Sequence, residues 1–131
     1  MSVKVSWMNP EQSIILQKFE DPWTVEEHRK SLYRIGEMVA HQAHTVHSIA
    51  DMTESQFAPG KLMVSTRVAE NIVQPNTGLL FIVRPSPVIT SVVAAARRFM
   101  PRVESRLRFV DTVAEACEII AAHEQNQYTS R

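Results

Sequence analysis

The sequence predicts an α/β protein with a single mixed β-sheet packed by about four helices. The first observation is the run of apolar residues Leu79–Val83, bracketed by turn residues on both sides. Such a run is too short for a membrane span and too continuous for a half-exposed strand, so it indicates a strand covered on both faces. The second observation is the helical pattern that follows it after a tight turn, and the third is the next strand pattern, Leu107–Val110. Strand, helix and strand in this order are typical of a parallel sheet.

Size and composition are those of one globular domain. Of the 131 residues 44% are hydrophobic and 21% are charged, so we expect one domain with an ordered core over about 3–123 and a polar tail at 124–131. Fourteen basic and fourteen acidic residues give a net charge of zero, which argues against global attraction to nucleic acid. With no segment of signal-peptide or membrane-span character, a cytoplasmic protein is expected. The single cysteine, Cys117, is expected to be a small buried side chain.

The N-terminal region predicts an antiparallel hairpin. Val3, Val5 and Trp7 alternate with polar residues, and Ser13–Phe19 forms a second apolar stretch after the turn at residues 9–11. In this second stretch, Ile14 and Leu16 face one side, whereas Ile15 and Phe19 face the other. The hairpin leaves a sheet edge that must be covered or paired, and this edge is compatible with a homodimer.

A helix and a third strand follow the hairpin. Thr24 and Glu27 form a capping-box pattern that starts the helix, which should end near His41–His44. Apolar or buried residues recur along it at intervals of three and four: Val25, His28, Leu32, Ile35 and Val39. Val46–Met52 is the predicted third strand.

The second helix is expected to follow a loop at Thr53–Gly60 and to end at Pro75. Its inward face would be formed by Leu62, Thr66, Ala69 and Ile72 or Val73. After the central strand, Ser86 and Pro87 are a typical N-cap and first helical residue.

The helix that begins at Pro87 should run to about Met100. Leu107–Val110 is then a fifth strand, and Thr112 with Glu115 repeats the capping-box pattern before a last helix. The apolar face of that helix would contain Val113, Ala116, Ile119, Ile120 and His123. The predicted order is β-β-α-β-α-β-α-β-α, with the later strands parallel and joined by right-handed crossovers.

Several stretches together resemble the STAS-like domains, the fold family of the anti-sigma-factor antagonists. They are Ile15–Glu20 with Trp23-Thr24, Ala50–Thr53, Pro59-Gly60, Phe81–Val83 with Ser86-Pro87, and Arg108–Ala116. The resemblance implies a sheet of four or five strands packed by helices, no chemistry of its own, and regulation by docking to another protein. The antagonists carry an Asp-Ser-Ser-Gly-like turn with a phosphorylatable serine after the third strand. The matching segment, Asp51–Ser55, keeps an acid and two hydroxyls but departs from that pattern, so phosphorylation of Thr53 or Ser55 stays open.

The candidate interaction residues lie where two strands end. Asp51, Thr53 and Ser55 follow the third strand, and Arg84 and Ser86 follow the central strand. Ligands and partners of open α/β sheets bind at the carboxyl ends of the strands, so these residues are expected to form a docking edge. The alternative is purely local, because Thr53, Ser55 and Ser86 are also typical helix N-caps.

A second candidate is a cluster of arginines. Six arginines against one acid, Glu104, lie between Arg84 and Arg108. Arg97, Arg98 and Arg102 would form a docking patch for an acidic protein surface or phosphate groups, or else a solvated face. Specific nucleic-acid recognition is not expected, because no aromatic residue is predicted to interleave with them and Phe99 is expected in the core.

The sequence contains few motifs that would support metal binding or catalysis. His41, His44 and His47 recur at intervals of three, but His47 should already lie in a strand, so no metal or other cofactor is expected. Only three glycines are present, which excludes glycine-rich phosphate cradles, and no nucleophile-elbow or dinucleotide motif occurs.

The function predicted first is therefore a non-enzymatic regulatory or protein-interaction domain. The second is a carrier of a small apolar ligand or lipid, because the broad group of sheets also resembles lipid-binding CRAL-TRIO domains. Its cavity would lie between sheet and helices and be lined by residues such as Phe57, Met63 and Phe99. An enzyme of unknown class is the third.

Overall fold

The computed structural model describes residues 3–55, 66–84 and 86–129, in which five strands form one sheet in chain order. The strands are β1 (Val3–Trp7), β2 (Ile14–Glu20), β3 (Val46–Glu54), β4 (Thr77–Val83) and β5 (Leu107–Val110). The fold is of the α/β class, as predicted.

The pairing of the strands confirms the predicted mixed sheet. β1 is antiparallel to β2, with Val5 opposite Gln17. The next three pairings, β2 with β3, β3 with β4 and β4 with β5, are all parallel. Phe81 of β4 lies between Ile49 of β3 and Arg108 of β5 and is 1% exposed. The run Leu79–Val83 is therefore an internal strand, and β1 and β5 are the two edges.

After β2, the helices return the chain from the carboxyl end of one parallel strand to the amino end of the next. They are α1 (Val25–Ala40), α2 (66–71), α3 (Pro87–Ala96), a single 3-10 turn (Arg97–Phe99), α4 (Pro101–Glu104) and α5 (Val113–Thr129). No helix among the described residues is long and apolar enough to cross a membrane.

Three of the predicted helix starts, those of α1, α3 and α5, are confirmed by their caps. Thr24 and Glu27 form a reciprocal capping box, and the Ser86 hydroxyl accepts a hydrogen bond from the Ile89 N–H with Pro87 at the first helical position. At α5 the Thr112 hydroxyl accepts from the Glu115 N–H, but the Glu115 carboxylate accepts from the Asp111 N–H instead of completing the box at Thr112.

The two faces of the sheet are covered differently. On one face α5 is the only described helix in the core cluster, and it packs against Ile49 and Phe81 through Ala116 and Ile120. Cys117 is half-buried in the same cluster, close to the expected burial. On the opposite face, side chains of α1, α2, α3 and α4 pack against β1–β5 in two adjoining clusters.

Two predicted helix ends were wrong. α3 ends at Ala96, because the chain tightens into the 3-10 turn and Pro101 starts a new short helix. This change of period brings Met100 into the core, whereas Phe99, expected there, is 72% exposed. α5 extends to Thr129 and so includes most of the expected polar tail. Phe57, Pro59, Gly60, Leu62 and Met63 lie outside the described residues.

Candidate functional site

A groove of about 520 Å³ lies where β3, β4 and β5 end. Its lining residues come from the ends of all three strands and the start of α5: Thr53, Arg84, Asp111, Thr112 and Val113. Because the three strands are parallel, their exits meet at one edge of the sheet. Thr53 and Arg84, which the sequence analysis assigned to this edge, line the same groove.

Thr53 and Asp51 form a local hydrogen-bonded unit at the end of β3. One oxygen of the Asp51 carboxylate accepts from the Thr53 N–H at 3.0 Å and from the Thr53 hydroxyl at 2.5 Å. β3 continues to Glu54, so Thr53 belongs to the strand and is not the helix N-cap that was the alternative. Its exposed side chain is thereby held in one orientation at the rim of the groove.

Arg84 is positioned by its main chain. Its φ is 55°, in the left-handed region that few non-glycine residues adopt, and its N–H donates to the Val110 carbonyl at 2.8 Å. That bond ties the exit of β4 to the exit of β5. The exposed guanidinium forms no ion pair with any residue that the structure describes, so it is available to a binding partner.

Asp111 and Thr112 complete the groove, although neither was predicted as an interaction residue. The Asp111 side chain is exposed and makes no hydrogen bond or ion pair within the described chain. Since Thr112 caps α5, the groove opens at a helix start that is already capped. The signal in the sequence was the position of Asp111 directly after a strand parallel to β3 and β4.

The other two predicted residues of this edge make structural hydrogen bonds. The Ser55 hydroxyl accepts from the Trp23 indole N–H at 2.8 Å and donates to Asp21 at 3.1 Å. Both bonds join the end of β3 to the segment before α1. Ser86 is the N-cap of α3, which confirms the alternative stated for it.

The arginine cluster lies near the amino ends of the parallel strands, opposite the groove at their carboxyl ends. α3 carries the chain away from the exit of β4, so Arg97, Arg98 and Arg102 lie near the start of β5, distant in the topology from Arg84. Arg97 forms an exposed ion pair with Glu104, with Nε and Oε1 3.9 Å apart, whereas Arg98 forms no ion pair within the described residues. The predicted interaction residues therefore separate into two groups.

Arg102 is held by Glu70 of α2, an acid that the sequence analysis did not connect with the cluster. The Glu70 carboxylate accepts from the Arg102 N–H and Val103 N–H and from the Arg102 guanidinium, at 3.0 to 3.1 Å. Desolvation raises the pKa of the Glu70 carboxyl, but these main-chain and guanidinium donors outweigh it and hold that pKa below its usual value. Glu70 thus caps α4 and joins it to α2.

The three spaced histidines do not converge. His41 contacts the Glu37 carbonyl at the end of α1, His44 contacts the Gln12 carbonyl, and His47 is fully buried in β3. Within the described part of the chain no three histidine, cysteine or acidic side chains are grouped to hold a metal ion.

Comparison with known proteins bears on the fold. No family model and no curated protein matches the sequence. Among solved structures, the chain is similar to the phosphorylated form of the Bacillus cell-fate determinant SpoIIAA, with a TM-score of 0.57 and 13% identity. That match covers 91% of this chain and 99% of the other. The chain has the SpoIIAA fold.

The unphosphorylated form of SpoIIAA, described as an anti-sigma factor antagonist, gives the same result. Its TM-score is 0.54 at 15% identity, over 92% of this chain and 97% of the other. The SpoIIAA fold is the STAS fold, so the resemblance inferred from the motifs is confirmed at the level of structure.

Proposed function

We propose that residues 1–131 form one regulatory, non-enzymatic interaction domain that docks another protein at the groove between Thr53, Arg84 and Asp111. The observation that carries the proposal is the position of this groove at the carboxyl ends of three parallel strands, in a chain with the fold of an anti-sigma factor antagonist. Open α/β sheets bind their partners at this edge.

The chemistry of the groove fits a peptide segment or loop. Arg84 offers an exposed cation and Asp111 a carboxylate on the neighbouring strand exit, and neither forms an ion pair with another described residue. A partner with an acidic side chain for Arg84 and a donor for Asp111 would match both charges, and such complementarity sets specificity and association rate. The groove lacks any array of paired acids, nucleophile and base that catalysis would need.

The experiment is a comparative pull-down from the cells that make the protein. The full chain and the double variant Thr53→Ala/Arg84→Ala are used as baits, and retained proteins are identified by mass spectrometry. A matched control, Thr45→Ala/Arg34→Ala, removes one exposed threonine and one exposed arginine elsewhere. Loss of about 1 to 3 kcal/mol at the two contacts corresponds to a complex that is about five- to 150-fold weaker, so the specific partner should be strongly depleted.

Equal capture of every partner by all three baits would contradict the docking edge. If the control double variant alone loses the partner, then the interaction surface lies at α1 or the amino edge of the sheet. Circular dichroism of each bait checks that its fold is intact.

A further inference from the structure

A second internal feature lies on the opposite face of the sheet from α5. A cavity of about 150 Å³ lies between the strands and helices α1, α2, α3 and α4. Aromatic and aliphatic side chains form most of its wall, among them Phe19, Leu32, Met52, Leu80, Val93 and Met100. Phe99, expected to line such a cavity, is on the surface, so the lining differs from the prediction.

Two polar atoms at this cavity have no hydrogen-bond partner among the described residues. They are Nδ1 of His28 and the hydroxyl oxygen of Ser48, and both residues line the cavity. His28 is 5% exposed and Ser48 is 8% exposed. Leaving a buried polar group unbonded costs about 1 to 3 kcal/mol, so two of them at one apolar cavity need an explanation.

The described polar side chains next to His28 and Ser48 do form hydrogen bonds, so the lack of partners is confined to these two atoms. Gln17, also in the cavity wall, donates from Nε2 to the Ser31 hydroxyl at 2.8 Å, and Ser31 donates to the His28 carbonyl at 2.6 Å. The buried polar side chains of this region are therefore arranged in a network. His28 Nδ1 and Ser48 Oγ are the atoms that this network leaves unused.

Both atoms suit an uncharged ligand. Burial lowers the pKa of His28 to about 4, and its imidazole packs edge-on against the rings of Phe19 and Trp23, with centroids 5.2 and 5.6 Å away. A neutral imidazole nitrogen either accepts or donates according to its tautomer, and a serine hydroxyl does both. No side chain of the described wall supplies a charge to pair with a buried ion.

The volume limits the size of the ligand. A cavity of about 150 Å³ in another protein binds benzene, whereas pockets for drug-sized ligands begin at roughly 300 Å³. The lipid that was one of the ligands expected from the sequence is therefore too large for the cavity in this state.

We propose that this cavity is a binding site for one small, uncharged ring compound that carries a hydroxyl group, with the ring among the apolar side chains and the hydroxyl bonded by His28 and Ser48. This site is separate from the proposed docking groove and is independent of that function. Both can be tested in the same protein.

The test uses phenol and benzene as matched probes that differ by the hydroxyl alone. Each is titrated into the ¹⁵N-labelled full chain, and amide shifts give the dissociation constant. Phenol should bind about five- to tenfold more tightly than benzene, since one neutral hydrogen bond contributes about that factor. Ser48→Ala should raise the dissociation constant of phenol about fivefold and change that of benzene by less than twofold. The control Ser91→Ala, at an exposed position, should change neither constant.

Variants that fill the cavity provide a second, independent test of the site. Ala50→Leu, with Ala69→Leu as the substitute if the first does not fold, places a side chain in the wall and should abolish binding of both probes. Absence of shifts with either probe, or equal shifts in the filled variant, would overturn the site. Equal affinity for phenol and benzene would overturn the assignment of His28 and Ser48.

Discussion

The Leu79 N–H donates a 2.9 Å hydrogen bond to Nδ1 of His47, and this bond fixes the tautomer of a fully buried imidazole. With Nδ1 as acceptor, the ring proton lies on Nε2, which donates to the Glu124 carboxylate at 3.1 Å. Burial lowers the pKa of His47, although Glu124 opposes this effect. His47 is thus a neutral side chain that links the start of β4 to α5.

Gly78→Ala should destabilise the protein by about 1 to 3 kcal/mol through overpacking. A Cβ at this position would lie 2.4 Å from His47 Nδ1 and 2.8 Å from Thr45 Cγ2. The backbone itself would accept alanine, because Gly78 does not have a positive φ, so the effect is steric. Urea denaturation followed by circular dichroism measures it.

The control for Gly78→Ala is the double variant with His47→Ser. Removing the ring relieves most of the clash, so the two changes together should cost at least about 1 kcal/mol less than their sum. Strict additivity would show that the contact between Gly78 and His47 is not the cause.

Stability should fall as the pH drops from 6.5 toward 4. His28 titrates near 6.5 when unfolded but at about 4 in the fold, so in this range the unfolded chain binds a proton that the folded chain excludes. The loss is about 1.4 kcal/mol for each pH unit and about 3 kcal/mol over the whole range. His47, with its pKa also lowered, adds to the loss in the same direction.

Urea midpoints at pH 7, 6 and 5 test this dependence on His28. His28→Gln keeps a neutral polar side chain and should show a clearly shallower loss between pH 7 and 5, with the remainder due to His47. A variant with the same slope as the unmodified chain would assign the dependence to other groups.

Glu70→Gln should cost about 1.5 to 3 kcal/mol, because its carboxylate accepts charge-assisted hydrogen bonds from the start of α4 and from Arg102. Arg102→Lys is the matched control, since it keeps the main-chain bonds and should cost less than half as much. The lowered pKa of Glu70 means that its contribution is present above about pH 4.5 and is lost as the pH falls further. Thermal denaturation at pH 7 and pH 4 measures both.

The two hydroxyls after Asp51 should respond differently to removal. Ser55→Ala deletes the bonds with the Trp23 indole and Asp21, and we expect a loss of about 1 to 2 kcal/mol. Thr53 is exposed, and among the described residues its side chain bonds only its near neighbour Asp51, so Thr53→Ala should change stability by less than about 0.5 kcal/mol. The opposite ranking in urea denaturation would contradict the assignment of Thr53 to binding and Ser55 to structure.

The strands and helix starts could be predicted because each is determined mainly by residues that are adjacent in the sequence. The run at Leu79–Val83, the capping pairs at Thr24 and Thr112, and the Ser86-Pro87 helix start each depend on a few adjacent residues, and each lies where it was expected. Phe99 was misplaced because its burial depends on the change from α-helix to 3-10 turn, which shifts the inward position to Met100.

The site was predicted only in part, because its geometry depends on contacts between distant segments. The sequence placed Thr53 and Arg84 at one edge, but it could not show that Ser55 bonds Trp23 or that Glu70 holds Arg102. The cavity residues His28 and Ser48 were visible only as polar side chains at apolar positions. A histidine within the apolar stripe of α1 was the available signal, and it was assigned to packing.

The packing of α5 over the apolar residues on one face of the sheet has a consequence for synthesis of the chain. Ile49 and Phe81 leave the ribosome long before Ala116 and Ile120, which bury them. Until that last helix emerges, a nascent chain presents an apolar surface on a nearly complete sheet. Chaperone binding should matter most in this interval, which ends when α5 packs against the sheet.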